Sequence, residues 1–315
     1  MEEIEDYSSP SAAKVRRLAL KDYEKITATP VTTFVGAVIS DVDLSTTLDD
    51  QTVAEIHDVL MERHVVFFRD QAITPQQHAD FARRFGPLRK ARRAAFEVLD
   101  DVSEMQVLIN DRERPPNVNH YHSDGIFRTN PEFGSILFGV DVPIAGGDTI
   151  FTSLAAAYDA LSDGMKEYLA GLSAVNDFMK LHGSPAKTRS WKGDNFARMD
   201  AMRQDNPPVE HPLVKVHPVT GRKHLYLSES FTTHVIGVDL EESQRVLDFL
   251  FRHVAKPEFQ CRFAWQRHSM AFWDNRAALH YAVADYWPAV RRMNRVTIVT
   301  DEIGTPAVAP LSKPA

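Results

Sequence analysis

At 315 residues, 43% apolar and 25% charged, the chain has room for one large domain or two ordinary ones and the composition of a soluble globular protein. Lys and Arg number 36 against 43 Asp and Glu, and the resulting net charge of −7 excludes a global attraction to nucleic acid or to an anionic membrane surface. The only cysteine, Cys261, excludes an intrachain disulfide and reads as a small buried hydrophobe in a strand-like run, not as a catalytic thiol.

The N-terminus is acidic (Glu2, Glu3, Glu5, Asp6), with neither the apolar core of a leader nor a run long enough to span a bilayer, so a cytoplasmic protein is expected. Residues 1–25 read as a flexible arm, 26–302 as one domain and 303–315 as an irregular, proline-rich tail. Residues 31–42 predict one or two strands. Val53, Ile56, Val59 and Leu60 have the spacing of one buried helical face, and Val65-Val66-Phe67-Phe68 is a strand covered on both sides. Thr74-Pro75 opens a helix as N-cap and first residue, and Gly86-Pro87 follows its end. The cluster Arg89-Lys90-Ala91-Arg92-Arg93 is either a solvated loop or a rim attracting an anion.

Strands are predicted at 105–109, 135–142, 149–151, 260–265, 269–273 and 295–299, and a hairpin at 214–227. Helices are predicted at 154–161, 165–171 and, most clearly, 240–256. Between 180 and 208 periodicity fades, as expected of an active-site lid. Many short strands with a few helices predict a mixed α/β fold with a mainly antiparallel sheet core, of barrel or jelly-roll type, and helices packed outside.

The chemistry concentrates in His120-Tyr121-His122-Ser123-Asp124. Residues two apart on a strand share a face, so His122 and Asp124 would offer an imidazole and a carboxylate to one point. With a third ligand they make the 2-His-1-carboxylate set that binds Fe(II) and leaves positions open; His280 is the candidate, with Arg291 and Arg295 eleven and fifteen residues beyond it. His120 shares that strand face, which leaves an H-x-H pair as an alternative. His57, His64, His211 and His217 read as surface or satisfied core residues, and Arg276 as the arm of a salt bridge holding its own loop.

These segments together resemble the taurine dioxygenase and 2,4-dichlorophenoxyacetate dioxygenase family of Fe(II)/2-oxoglutarate-dependent oxygenases. The resemblance rests on Phe67-Phe68-Arg69-Asp70-Gln71, Phe81 to Gly86, His122-Ser123-Asp124, Gly146-Gly147-Asp148-Thr149, and Trp273-Asp274-Asn275-Arg276 through His280 to Arg291 and Arg295. It spans roughly residues 30 to 302 and implies a double-stranded β-helix, the jelly-roll variant, with flanking helices. It implies His122, Asp124 and His280 as iron ligands, preferring His122 to His120. Thr149 and Arg291 match the pair that holds the far carboxylate of 2-oxoglutarate, and Arg295 matches an arginine that contacts the substrate anion. The cofactors implied are Fe(II), with 2-oxoglutarate and O2 as cosubstrates, and family members commonly form dimers or tetramers.

The substrate expected is a small organic anion, hydroxylated with or without later C–S or C–O cleavage. Desaturation of an amino-acid-derived metabolite, or a non-catalytic jelly roll that binds metal or anion, are the alternatives. The resemblance places Ala91 where the taurine enzyme has a histidine, which favours an acid bulkier than taurine, with Phe127 and Phe231 as apolar walls.

Overall fold

A computed structural model describes residues 20–91, 97–116, 118–184 and 195–303. The first nineteen residues of the expected arm, Arg92 and Arg93, residues 185–194 of the expected lid and the tail from 304 onward lie outside the described residues.

An eight-stranded sheet runs in the order Thr27–Pro30, Ala37–Ser40, Val65–Phe68, Met270–Asp274, Gly134–Asp141, Arg291–Ile298, Gln106–Asn110, Glu97–Val98. Its neighbours are antiparallel except Ala37–Ser40 beside Val65–Phe68. The two-residue period sorts its side chains into two cores. Val66 and Phe68 point to one face with Ile136, Phe138, Phe272 and Val296, beneath the helices Asp50–Arg63 and Pro75–Arg83. Val65 and Phe67 point to the other, with Leu137, Ala271, Trp273 and Met293.

That second face meets a three-stranded antiparallel sheet ordered Gln260–Phe263, Thr149–Ser153, Ala278–Ala282. Phe151, Cys261 and Phe263 enter the core from the small sheet, and Phe67 stacks on Phe263 with ring centroids 4.1 Å apart. Each such aromatic contributes about 1.5–3 kcal/mol by leaving water. Burial pushes the Cys261 thiol up to about 12, so it stays a neutral core atom, as its sequence context suggested. Behind the small sheet, Leu279 packs with Leu154, Leu247, Leu250 and Val254 of the helices Leu154–Asp159 and Leu240–Val254.

Both principal helix starts are legible in the sequence. Thr74 and Asp239 each complete a capping box, with Gln77 and Glu242 returning the bond. Several short strands are not legible in the sequence: Thr27–Pro30, Glu97–Val98, Ser173–Asn176, Val209–Pro212, Thr232–Val235 and Ala278–Ala282 have two to five residues each and carry polar residues such as Asn176, Glu210 and His280. The last strand begins at Arg291 rather than 295, because its inward positions include buried cations that hide the apolar alternation. The 180–208 stretch is less irregular than expected, since the helices Phe178–His182 and Asn195–Asp205 flank and enter it. Among the described residues no helix is long and apolar enough to cross a membrane.

Candidate active site

His122 does not sit in a regular strand. A single antiparallel bridge ties it to His280, with His122 N–H donating to the His280 carbonyl at 3.0 Å and the reverse bond at 2.8 Å. The chain turns directly afterwards, at Gly125 with φ +74°. A Cβ there would fall 1.6 Å from Glu132 Oε2, so only glycine lets the turn close over that buried carboxylate. Glu132 in turn pairs with Arg89 at 2.6 Å and Arg128 at 2.9 Å. Arg89, from the basic cluster, is therefore engaged in holding this turn.

The bridge and the turn bring the three expected side chains together. Asp124 Oδ1 lies 3.9 Å from Nε2 of both His122 and His280, and the three ligand atoms lie within 4.8 Å of one another. His122 Nδ1 is 3.0 Å from the His120 carbonyl, which can only accept, so in the neutral ring the proton sits on Nδ1 and the Nε2 lone pair faces the cluster. His120 contributes that carbonyl; its ring is not in the cluster. Burial holds His280 well below the usual imidazole value, which keeps it neutral and able to ligate. Burial alone would raise the Asp124 pKa, but Arg295, His280 and His122 and the Ser135 hydrogen bond reverse this and keep the carboxylate charged. Two neutral imidazole nitrogens and one carboxylate oxygen are a donor set that suits a borderline divalent ion such as Fe(II), with positions left over.

Across the sheet register, Phe151 opposes His280 and Thr149 opposes Ala282. Thr149 therefore lies on the same inner face, about 7 Å along the strand at 3.3 Å per residue. Its Oγ accepts from the Trp265 indole N–H at 2.9 Å, which directs its own proton elsewhere. Arg291 lies nearby, over Trp265 and Tyr286, with its guanidinium carbon 5.8 Å from each ring centre. It is 6% exposed, its Nε has no hydrogen-bond partner, and no carboxylate among the described residues forms an ion pair with it. Burial drags its pKa down, which measures the cost of leaving this cation dry and unpaired. Gly147 makes room for it: a Cβ there would stand 3.3 Å from Arg291 Cδ and Nε, and the backbone has φ +72°.

Arg295 projects inward from the same strand face as Arg291. Gln106 Oε1 accepts from its Nε at 2.9 Å and its Nη2 at 2.7 Å, and Nη1 approaches Asp124 at 3.3 and 3.4 Å. Phe127, just past the turn, packs on Phe231 and on Phe178, each at 4.8 Å, and His182 stacks on Phe178. The two expected wall residues are thus in contact with each other and with the helix that opens the 180–208 stretch.

Arg276 is structural, as its context suggested. It bridges the buried carboxylates of Asp274 and Asp301, which His217 and His57 contact from the far sides. Three side chains around the cluster were missed: Ser135, which donates to Asp124, Asn275, which donates to Ser135, and Gln106, which holds Arg295. Only Asn275 stood in a recognised segment. A serine or glutamine inside a strand carries no sign of its partner until the strands are paired.

The taurine catabolism dioxygenase TauD, TfdA family is matched over residues 23–297. An alkylsulfatase from Acinetobacter baylyi is 33% identical over 267 residues, covering 84% of this chain and 82% of that one. An alpha-ketoglutarate-dependent 2,4-dichlorophenoxyacetate dioxygenase from Cupriavidus pinatubonensis is 31% identical over 293 residues, covering 88% and 99%. The crystal structure of a taurine dioxygenase from Burkholderia xenovorans superimposes with a TM-score of 0.75 at 35% identity, covering 88% and 90% of the two chains. The chain spans 66% of the length of a Schizosaccharomyces pombe relative with which it shares 32% identity.

Proposed function

Since the chain belongs to the taurine catabolism dioxygenase TauD, TfdA family, we propose that it is an Fe(II)/2-oxoglutarate-dependent dioxygenase acting on a C–H bond of a small organic anion. We take residues 26–302 as the catalytic domain and the two facing sheets as its double-stranded β-helix. His122, Asp124 and His280 would hold the iron, because they alone among the described residues bring three metal-ligating groups together. Thr149 and Arg291 would hold the far carboxylate of 2-oxoglutarate.

One observation carries the reading: Arg291 is a buried guanidinium without a counter-ion among the described residues, beside a threonine hydroxyl whose proton is free of its indole partner. A guanidinium presents a planar fork suited to a carboxylate, and desolvation makes the pair strong once formed. A protein that merely bound metal would gain nothing from that cation, which lowers stability until an anion arrives.

Iron held by His122, Asp124 and His280 would, with 2-oxoglutarate and O2, supply the oxidising power, one oxygen atom going to the substrate C–H as C–OH and the other to succinate, with CO2 released. The protein's own contribution is placement. The His122–His280 bridge fixes two ligands to one sheet, Arg291 and Thr149 set the cosubstrate's distance from them, and the aromatic group around Phe127 and Phe231 keeps water from the reacting carbon. Arg295 is the candidate contact for the substrate's anionic group. Gln106 fixes its fork, and its approach to Asp124 is long for a hydrogen bond, leaving charge to share with an incoming anion.

The test is turnover. Full-length protein with Fe(II), ascorbate and 2-oxoglutarate should release succinate, and release should rise with the right anion among alkyl sulfates, aryloxyalkanoates, amino-acid derivatives and sulfonates. No succinate under any condition would overturn the reading. The preferred anion should be larger than taurine and should lose most of its turnover in Arg295→Ala. Taurine emerging as the best substrate would remove the size argument built on Ala91. Thr149→Val should raise the 2-oxoglutarate requirement roughly 10- to 100-fold, the value of a hydrogen bond to a charged group of about 1.5–3 kcal/mol. An unchanged requirement would take Thr149 out of the cosubstrate site.

A further inference from the structure

A chain of buried hydrogen bonds ends on the outer oxygen of Asp124, and its direction can be read from chemistry alone. The Trp273 indole N–H can only donate, so the oxygen of Asn275 faces it at 2.8 Å and the amide orientation is fixed. Asn275 Nδ2 must then be the atom that donates to Ser135 Oγ, at 3.2 Å. With that lone pair occupied, the Ser135 hydroxyl directs its proton at Asp124 Oδ2, at 2.8 Å. The backbone secures the same unit, because Ser123 Oγ donates to the Asn275 carbonyl at 2.6 Å and Ser135 pairs with Trp273 across neighbouring strands. Trp273, Asn275, Ser123 and Ser135 are each at most 2% exposed, so no water competes for these bonds.

We propose that Asn275 and Ser135 are positioning residues that hold Asp124 as a one-oxygen ligand: Asn275 directs the Ser135 hydroxyl, which engages Oδ2 and turns Oδ1 toward His122 and His280. The proposal rests on the reading of His122, Asp124 and His280 as the metal site. Its physical content is that a carboxylate on two single bonds rotates, and that the second oxygen would otherwise compete for a coordination position that 2-oxoglutarate or O2 needs. Ser135 bonds Oδ2 alone, whereas Arg295 Nη1 lies at similar long range from both oxygens, 3.4 Å from Oδ1 and 3.3 Å from Oδ2, and Oδ1 stands equidistant from the two imidazoles at 3.9 Å. Packing alone does not account for the Ser135 hydroxyl, since an alanine there would fill nearly the same volume without ordering a proton; Asn275 serves twice, accepting from the Trp273 indole and donating to Ser135.

Titration of the metal-free, full-length protein with Co(II), followed by its visible absorption, tests this without turnover. Ser135→Ala should bind Co(II) 10- to 100-fold more weakly, the usual effect of removing an outer-shell partner, and should show an altered d–d spectrum as the carboxylate reorients. Ser135→Thr keeps the hydroxyl and should stay close to wild type in both. Asn275→Ala should shift affinity and spectrum in the same direction as Ser135→Ala, because the serine proton is then no longer directed; it also serves if Ser135→Ala fails to fold, which thermal unfolding of the metal-free proteins would reveal. Wild-type affinity and spectrum in Ser135→Ala, or in Asn275→Ala, would overturn the proposal. Asp124→Ala separates this from the site assignment: Co(II) binding that survives it would refute the metal site itself.

Discussion

Single replacement of His122, Asp124 or His280 by alanine is expected to remove both Fe(II) binding and succinate formation. Three protein ligands are the minimum this site offers, and no fourth His, Cys, Asp or Glu among the described residues joins the cluster to replace a lost one. The three variants should differ in the metal-free state. His122→Ala and His280→Ala take away imidazole rings, but Asp124→Ala removes the carboxylate that faces the Arg295 guanidinium. Its metal-free form should therefore melt lower, since breaking one side of a buried ion pair costs several kcal/mol where the pair is dry and less where, as here, Arg295 is partly accessible. His120→Ala is the control. It keeps the backbone carbonyl that fixes the His122 tautomer, so iron binding and turnover should survive. Near-wild-type turnover in any of the three ligand variants would remove that residue from the site; loss in His120→Ala would bring the H-x-H alternative back.

The contrast between His120 and His122 shows what one-dimensional reading can and cannot do. Strand periodicity put His120, His122 and Asp124 on one face and could not choose among them. The structure departs from that regular strand: one bridge to His280, then a turn at Gly125, aim His122 and Asp124 at the same point and leave His120 outside. The three candidate ligands could be named from sequence because their chemistry is rare there and their spacing carries over from a resembling family. The large core strands were legible for a similar reason, as in Val65–Phe68, where four apolar residues in a row have no other soluble use. What stayed hidden depends on pairing. Ser135 meets Asn275 only because Gly134–Asp141 lies beside Met270–Asp274, and Gln106 meets Arg295 only through the register of two strands 189 residues apart. The start of the last strand was hidden as well, since Arg291 is a charged residue in a buried position, and a hydropathy pattern registers it as solvent-facing.

That same buried charge leads to the most discriminating expectation for this protein. Arg291→Ala should raise the 2-oxoglutarate requirement by about 2–5 kcal/mol, roughly 30- to 5,000-fold, because a desolvated carboxylate loses its bidentate partner. The Fe(II) requirement should move little, since Arg291 makes no contact with the ligand cluster. Stability should move the other way. The guanidinium is 6% exposed and has no carboxylate partner among the described residues, so its removal relieves a desolvation cost, and the metal- and cosubstrate-free variant should melt no lower than wild type. Addition of 2-oxoglutarate should then raise the melting temperature of wild type far more than that of Arg291→Ala, as ligand linkage requires when only one of them binds tightly. Arg291→Lys should recover part of the affinity, because an ammonium supplies the charge without the planar fork. A residue that served packing alone would give the reverse pattern: a lower melting temperature in Arg291→Ala with the cosubstrate titration unchanged. That outcome would end the assignment of Arg291 to 2-oxoglutarate, and with it the main physical argument for the cosubstrate site.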